Sequence, residues 1–246
     1  MSLEGKTCVV TGASSGVGHA LTVAFVRAGA QVWAIGRDRE RLESIAGDAA
    51  AGSGASRPLV VDLQQDDELE SACREILAQG GGIDVLAHAA GVISRGPVES
   101  AAVEDLDSQY RVNLRAPFVL TRILLPALKQ ARGQVVFMNS SRGGAAPSPD
   151  AALYAATKRG LAAFADGLRQ EVNTDGVRVL TVYLGRTATP MQESVHEHEG
   201  RIYRPELLLR PEDVVEIVLA SISLRPTAEV TEVSLRPAAK LPDARA

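Results

Sequence analysis

Tyr154 and Lys158 stand four residues apart in the stretch "LYAATKRG", and at that spacing two side chains on a helix share one face. A free phenol titrates near about 10 and a free lysine near about 10.4, so neither alone does acid–base work at neutral pH. Side by side, the ammonium stabilises phenolate and lowers the tyrosine pKa toward the range of a general acid or base. Ser141 precedes Tyr154 by 13 residues, just past a predicted strand, where its hydroxyl can hydrogen-bond a carbonyl oxygen beside the phenol. Asn113, in "YRVNLRAPF", is an amide in a largely apolar part of the preceding predicted helix. Each signal is weak alone, because Tyr-x-x-x-Lys arises by chance in many helices and serines are everywhere.

The same chain carries "TGASSGVG" at residues 11–18, directly after a predicted strand and opening a helix. Glycines at 12, 16 and 18 let the backbone turn tightly and approach a pyrophosphate, whose charge a helix N-terminus favours. The end of the second predicted strand, "AIGRDRERL", bears on which dinucleotide would bind. A protein selecting NAD usually has Asp or Glu there for the ribose 2′-hydroxyl. Gly36 occupies that place and Arg37 follows it. Glycine leaves room for a 2′-phosphate and a guanidinium holds it as a bidentate pair, so NADP is the expected cofactor. The alternative for Arg37 is a solvated surface charge. Asp62 ends the third predicted strand in "VVDL", where it can bond an adenine amino group or cap the next helix.

These residues need a scaffold, and the apolar pattern supplies one. Short, nearly continuous apolar runs occur at 7–12, 31–36, 57–63, 83–91, 133–140, 177–185 and 229–237; runs of this kind suit strands buried on both faces. Helical patterns fall between them, at 17–28, 38–50, 66–79, 103–130, 152–174 and 211–223. Strand–helix alternation predicts an α/β fold with a doubly wound parallel sheet of about seven strands and helices on both faces. One domain over residues 1–246 is expected, with a flexible surface turn at 47–56 and a frayed end after the last strand. Residues 186–210, rich in charge and without a clear period, interrupt the alternation before the last helix. They emerge where ligands of such folds sit and are expected to form a substrate lid.

Composition narrows the function classes. A net charge of −4 and a pI of about 5.7 give no basic footprint for nucleic acid. No apolar run approaches the roughly 20 residues that span a bilayer, and no signal-peptide core opens the chain. Cys8 and Cys73 have no metal or redox spacing and read as free buried thiols, in keeping with a cytoplasmic protein. "HEH" at 196–198 is poor ligand evidence, so no metal is expected.

Taken together, "TGASSGVG" and "YAATK" with Ser141 and Asn113 resemble a classical short-chain dehydrogenase/reductase over nearly the whole chain. The resemblance implies a Rossmann fold and an NADP(H)-dependent interconversion of carbonyl and alcohol. It implies catalytic roles for Asn113, Ser141, Tyr154 and Lys158, with neighbouring Ser140 discarded. It implies cofactor contacts from Gly12, Ser14, Ser15, Gly16, Val17, Gly18, Arg37, Asp62, Leu63, Ala90, Gly91, Tyr154, Lys158, Gly185, Thr187 and Thr189. The proton relay it suggests runs from a water supported by Asn113 to Lys158 and on to Tyr154. Two departures stand out. The family's Asn-Asn-Ala-Gly reads "HAAG" at 88–91, with His88 a structural replacement rather than a base, and Leu184 replaces the proline before Gly185. The resemblance also implies a homodimer or homotetramer, with Phe118, Leu161 and Phe164 suited to an interface or to the core. Two alternatives remain: a non-catalytic NADP-binding sensor or scaffold, and an alcohol dehydrogenase working mainly toward oxidation. The charges of the lid segment read mainly as solvated, with recognition of an acidic substrate group by Arg201 or Arg204 as the minority reading.

Overall fold

In the computed structural model, residues 2–49, 52–141 and 150–238 are described. Both the expected surface turn at 47–56 and the expected frayed terminus fall partly outside them. Strands β1 (Thr7–Thr11) and β2 (Gln31–Gly36) are buried after their first residues, as their continuous apolar runs require. Between them runs α1 (Gly16–Arg27); α2 (Arg39–Asp48) then leads to β3 (Ala55–Val60), and α3 (Asp66–Ala78) to β4 (Val85–His88). Helices α4 (Val103–Tyr110) and α5 (Ala116–Ala131) precede β5 (Gln134–Ser140), and α6 (Ala152–Val172) precedes β6 (Arg178–Leu184). Helices α7 (Pro190–His198) and α8 (Pro211–Ile222) lead to β7 (Glu232–Leu235).

All seven strands pair in parallel in one sheet, in the order β3-β2-β1-β4-β5-β6-β7. Thr11 pairs with Ile35 on one side and His88 on the other, which sets the C-terminal ends of β1, β2 and β4 level. The strand order reverses between β1 and β4, so a crevice opens beyond those ends. One face of the sheet packs Leu69, Leu120, Leu124, Leu161 and Leu168, and the other packs Leu21, Phe25, Leu42, Ile45 and Val218. Burying both faces in this way is the main favourable term in the fold's stability.

Several expectations change in detail: β4 spans 85–88 rather than 83–91 and β7 spans 232–235 rather than 229–237. β3 spans 55–60 rather than 57–63, and it is an edge strand paired only with β2. That placement accommodates Pro58, which has no N–H to give a second neighbour, and leaves Val60 exposed. The single helix expected over 103–130 is two helices joined by a π turn at Arg111–Arg115. Residues 186–210, which lack a clear period in the sequence, contain the helix α7.

Candidate active site

A cavity of about 320 Å³ opens beyond the C-terminal ends of the strands. Its β1 wall is the glycine turn. Gly12 has φ +70°, and a Cβ on it would lie 2.8 Å from the backbone of Ala90; one on Gly18 would lie 2.2 Å from the Gly12 carbonyl oxygen. Side chains at either position would push the turn apart. Ser14, Ser15, Gly16 and Val17 line the cavity with Gly12, whereas Gly18 is buried behind them. Ser15 is the N-cap of α1, yet its hydroxyl makes no capping bond. The first N–H groups of α1 are therefore left for an anion.

Arg37, Asp62 and Leu63 line the same cavity at its β2–β3 end. Gly36 is backed by Ser14, whose Oγ would lie 3.1 Å from an added Cβ. An acidic side chain at 36 would crowd that serine. Asp62 does not cap α3, whose N-cap is Gln65; its Oδ1 accepts from the Gln64 amide at 3.1 Å and forms a local turn.

Ser141, Tyr154 and Lys158 line the cavity together with Ala90 and Gly91, and a Cβ on Gly91 would lie 3.7 Å from Lys158 Nζ. Tyr154 and Lys158 sit on successive turns of α6, and the Lys158 Nζ lies 5.9 Å from the centroid of the Tyr154 ring. Lys158 is only 4% exposed and donates from Nζ to the Met138 carbonyl at 3.1 Å. Burial brings its pKa down to about 8. The Asn139 side chain donates to the Lys158 carbonyl at 3.0 Å and so ties α6 to β5.

Asn113 is fully buried in the π turn and does not line the cavity. Its Oδ1 accepts from the Val92 amide at 2.9 Å, and its Nδ2 donates to the Val92 carbonyl at 2.9 Å and to Thr157 Oγ1 at 3.1 Å. Thr157 Oγ1 donates in turn to the Tyr154 carbonyl at 2.9 Å. Both amide hydrogens are thus committed, and Oδ1 keeps one lone pair for a water. The side chain fastens the chain after β4 to the helix that carries Tyr154 and Lys158.

Gly185, Thr187 and Thr189 form the β6 wall. Thr189 caps α7, with Oγ1 accepting from the Gln192 amide at 3.3 Å, and its methyl would lie 3.0 Å from a Cβ on Gly16. Helix α7 therefore starts against the glycine turn. His88 lies below the cavity in the core. Its Nε2 shares a hydrogen bond with Thr121 Oγ1 at 2.9 Å and its ring stacks on Phe137 at 5.0 Å. Burial, with the Lys158 charge adding to it, lowers its pKa to about 3, which keeps it neutral.

Arg95 and Arg186, which the motif reading did not single out, also line the cavity. Arg95 donates to Asp150 from Nε at 3.0 Å and Nη2 at 2.7 Å, and to Glu199 from Nη1 at 2.8 Å. Arg186 Nη2 donates to both oxygens of Glu199, at 2.8 and 2.6 Å. Burial alone would raise the Glu199 pKa, but the hydrogen bonds and charges of Arg186 and Arg95 outweigh it and hold the carboxyl below its ordinary value. The segment 186–210 is thus held by ion pairs just after α7 rather than wholly solvated. Arg201 and Arg204 do not line the cavity: Arg201 Nε lies 3.5 Å from Glu199, and Arg204 is exposed. His196 bonds back to the Gln192 carbonyl within α7, while His198 lies 3.8 Å from Asp150. Among the described residues no cluster of three or more His, Cys, Asp or Glu is arranged to hold a metal, and no helix is long and apolar enough to cross a membrane.

Comparison with known proteins gives the same picture. A family model described as short chain dehydrogenase matches residues 6–200. A short chain dehydrogenase of Pseudocercospora fijiensis is 36% identical over 178 residues, covering 71% of this chain and 57% of that protein. The 3-oxoacyl-[acyl-carrier-protein] reductase FabG of Thermotoga maritima is 32% identical over 224 residues, covering 89% and 91%. A metagenomic short-chain oxidoreductase crystallised with NADP superposes with a TM-score of 0.82 at 30% identity, covering 98% of this chain and all of that one.

Proposed function

The chain belongs to the short-chain dehydrogenase family, and from that premise we propose that it is an NADP-dependent oxidoreductase interconverting a ketone or aldehyde and an alcohol. The observation that carries this reading is a single cavity shared by the glycine turn and the Tyr154–Lys158 pair. The donor set suits a dinucleotide: uncapped N–H groups of α1 for the pyrophosphate and an exposed guanidinium at the end of β2. Arg37 would hold the 2′-phosphate beside Gly36, Asp62 the adenine, and Lys158 the nicotinamide ribose. When bound, NADPH supplies the hydride that the carbonyl carbon takes up.

This chain's own residues then manage orientation and the proton. Ser141 donates a hydrogen bond to the carbonyl oxygen and polarises it. Tyr154 gives its phenolic proton to the alkoxide as negative charge develops there. The Lys158 ammonium steadies the resulting phenolate. Asn113 positions α6 through Thr157 and has a lone pair for a water that returns protons to Lys158. In the oxidative direction the phenolate takes the alcohol proton. Residues 186–210 act as the substrate lid of a single catalytic domain.

The test is consumption of NADPH and of NADH with a panel of aldehydes, ketones and quinones. Turnover is expected, with NADPH preferred. Stoichiometric NADPH binding without turnover across the panel would favour a sensor and overturn this reading; a clear NADH preference would overturn the cofactor assignment.

A further inference from the structure

We propose that the carbonyl substrate carries a carboxylate, held at the β4–β6 end of the cavity by Arg186 with Arg95 beside it. This inference rests on the oxidoreductase reading above and names the class of its substrate. Arg95 follows β4 and Arg186 follows β6, so both lie across the strand-order reversal from the β2–β3 end, where Arg37 and Asp62 sit. Both residues line the cavity, while the carboxylates that hold their guanidinium groups, Asp150 and Glu199, are not among its lining residues. The cavity therefore meets cationic groups at this end, backed by anions.

Two further observations point to an incoming anion. Arg186 Nη1 is buried with no hydrogen-bond partner, although Nη2 of the same group is fully engaged with Glu199. A buried charged donor without an acceptor is costly; Arg186 lines the cavity, and a shift of its side chain that brings Nη1 to a ligand oxygen there would remove that cost. The cluster also carries unequal charge. Among the described residues, the arginines paired with Asp150 and Glu199 are Arg95, Arg186 and Arg201, one positive charge more than the two carboxylates, with His198 3.8 Å from Asp150 as well. A single carboxylate cancels that excess and offers the two oxygens that a guanidinium fork accepts. A phosphate dianion would overshoot it. Because Glu199 directly follows α7, a carboxylate seated here also touches the latch of the lid, linking substrate binding to lid closure.

The experiment compares 2-oxo and 3-oxo carboxylates with their methyl esters as substrates, using NADPH, in the wild type, Arg186→Leu and Arg186→Lys. The wild type is expected to favour acids over esters by tenfold or more in kcat/KM. Arg186→Leu should collapse that ratio through the KM of the acids, and Arg186→Lys should restore part of it. Should Arg186→Leu fail to fold, the wild-type ratio and its change in Arg186→Lys decide the matter. Esters used as well as acids by the wild type, or equal losses on both in Arg186→Leu, overturn the carboxylate proposal and leave the oxidoreductase reading standing. No turnover of acids, esters, simple ketones or aldehydes overturns both.

Discussion

His88 stacks on Phe137 in the core, and its burial has a measurable consequence. Its pKa is lowered to about 3 in the folded chain and is about 6.5 in an unfolded one. Between those values the unfolded chain binds a proton that the folded chain refuses, so stability falls as pH falls through that window. We expect His88→Asn to flatten this dependence by about 2 kcal/mol between pH 6.5 and 5, read from urea denaturation of both proteins. An unchanged slope would show that His88 takes up its proton without loss of structure. Lys158, lowered to about 8 by burial, acts in a higher window. There the folded chain sheds a proton that the unfolded chain keeps, so stability rises with pH from about 8 to about 10. At the dinucleotide end, Arg37→Glu is predicted to reverse cofactor preference, weakening NADPH by tenfold or more while NADH is retained. Titration of both cofactors by fluorescence checks this. Most of these site residues were legible because their identities and spacing are local. Arg95 and Arg186 were not, because they belong to no motif and their meaning lies in ion pairs with Glu199, 104 residues along the chain from Arg95.

The elements divide along the same line. The strands were legible because burial on both faces demands continuous apolar runs, and β1, β2, β5 and β6 meet that demand. The ends of β3 were not, because its pairing with a single neighbour relaxes the demand. The π turn at Arg111–Arg115 has no signature in its residue types; it carries Asn113, which bonds Val92 and Thr157. Helix α7 was hidden because it is short and polar, starting at the Thr189 cap and ending at the Glu199 latch. The glycine turn gives a direct test at this scale. Gly18→Ala would place its Cβ against the Gly12 carbonyl, and a cost of about 1–3 kcal/mol with weakened NADPH binding is expected. Wild-type stability and affinity in that variant would mean that the turn tolerates more room than its packing suggests.

For the whole molecule, Val103, Leu106 and Tyr110 form an exposed stripe at helical spacing on α4, and Phe118 is exposed on α5. Phe118 contacts Phe164 edge to face at 5.7 Å, while Leu161 belongs to the core. An apolar stripe of this size suits a partner, and we propose a homodimer or homotetramer that covers it. Phe118→Asp should shift the protein to a smaller species in light scattering, whereas a wild-type monomer at micromolar concentration would contradict the proposal. The proposed catalysis depends on the fold bringing the glycine turn after β1 to the same cavity as α6. The most direct test is Tyr154→Phe, assayed for carbonyl-dependent NADPH oxidation and, in parallel, for NADPH binding. Turnover is expected to fall by orders of magnitude with cofactor affinity kept. Wild-type turnover in Tyr154→Phe would contradict the proposed catalysis.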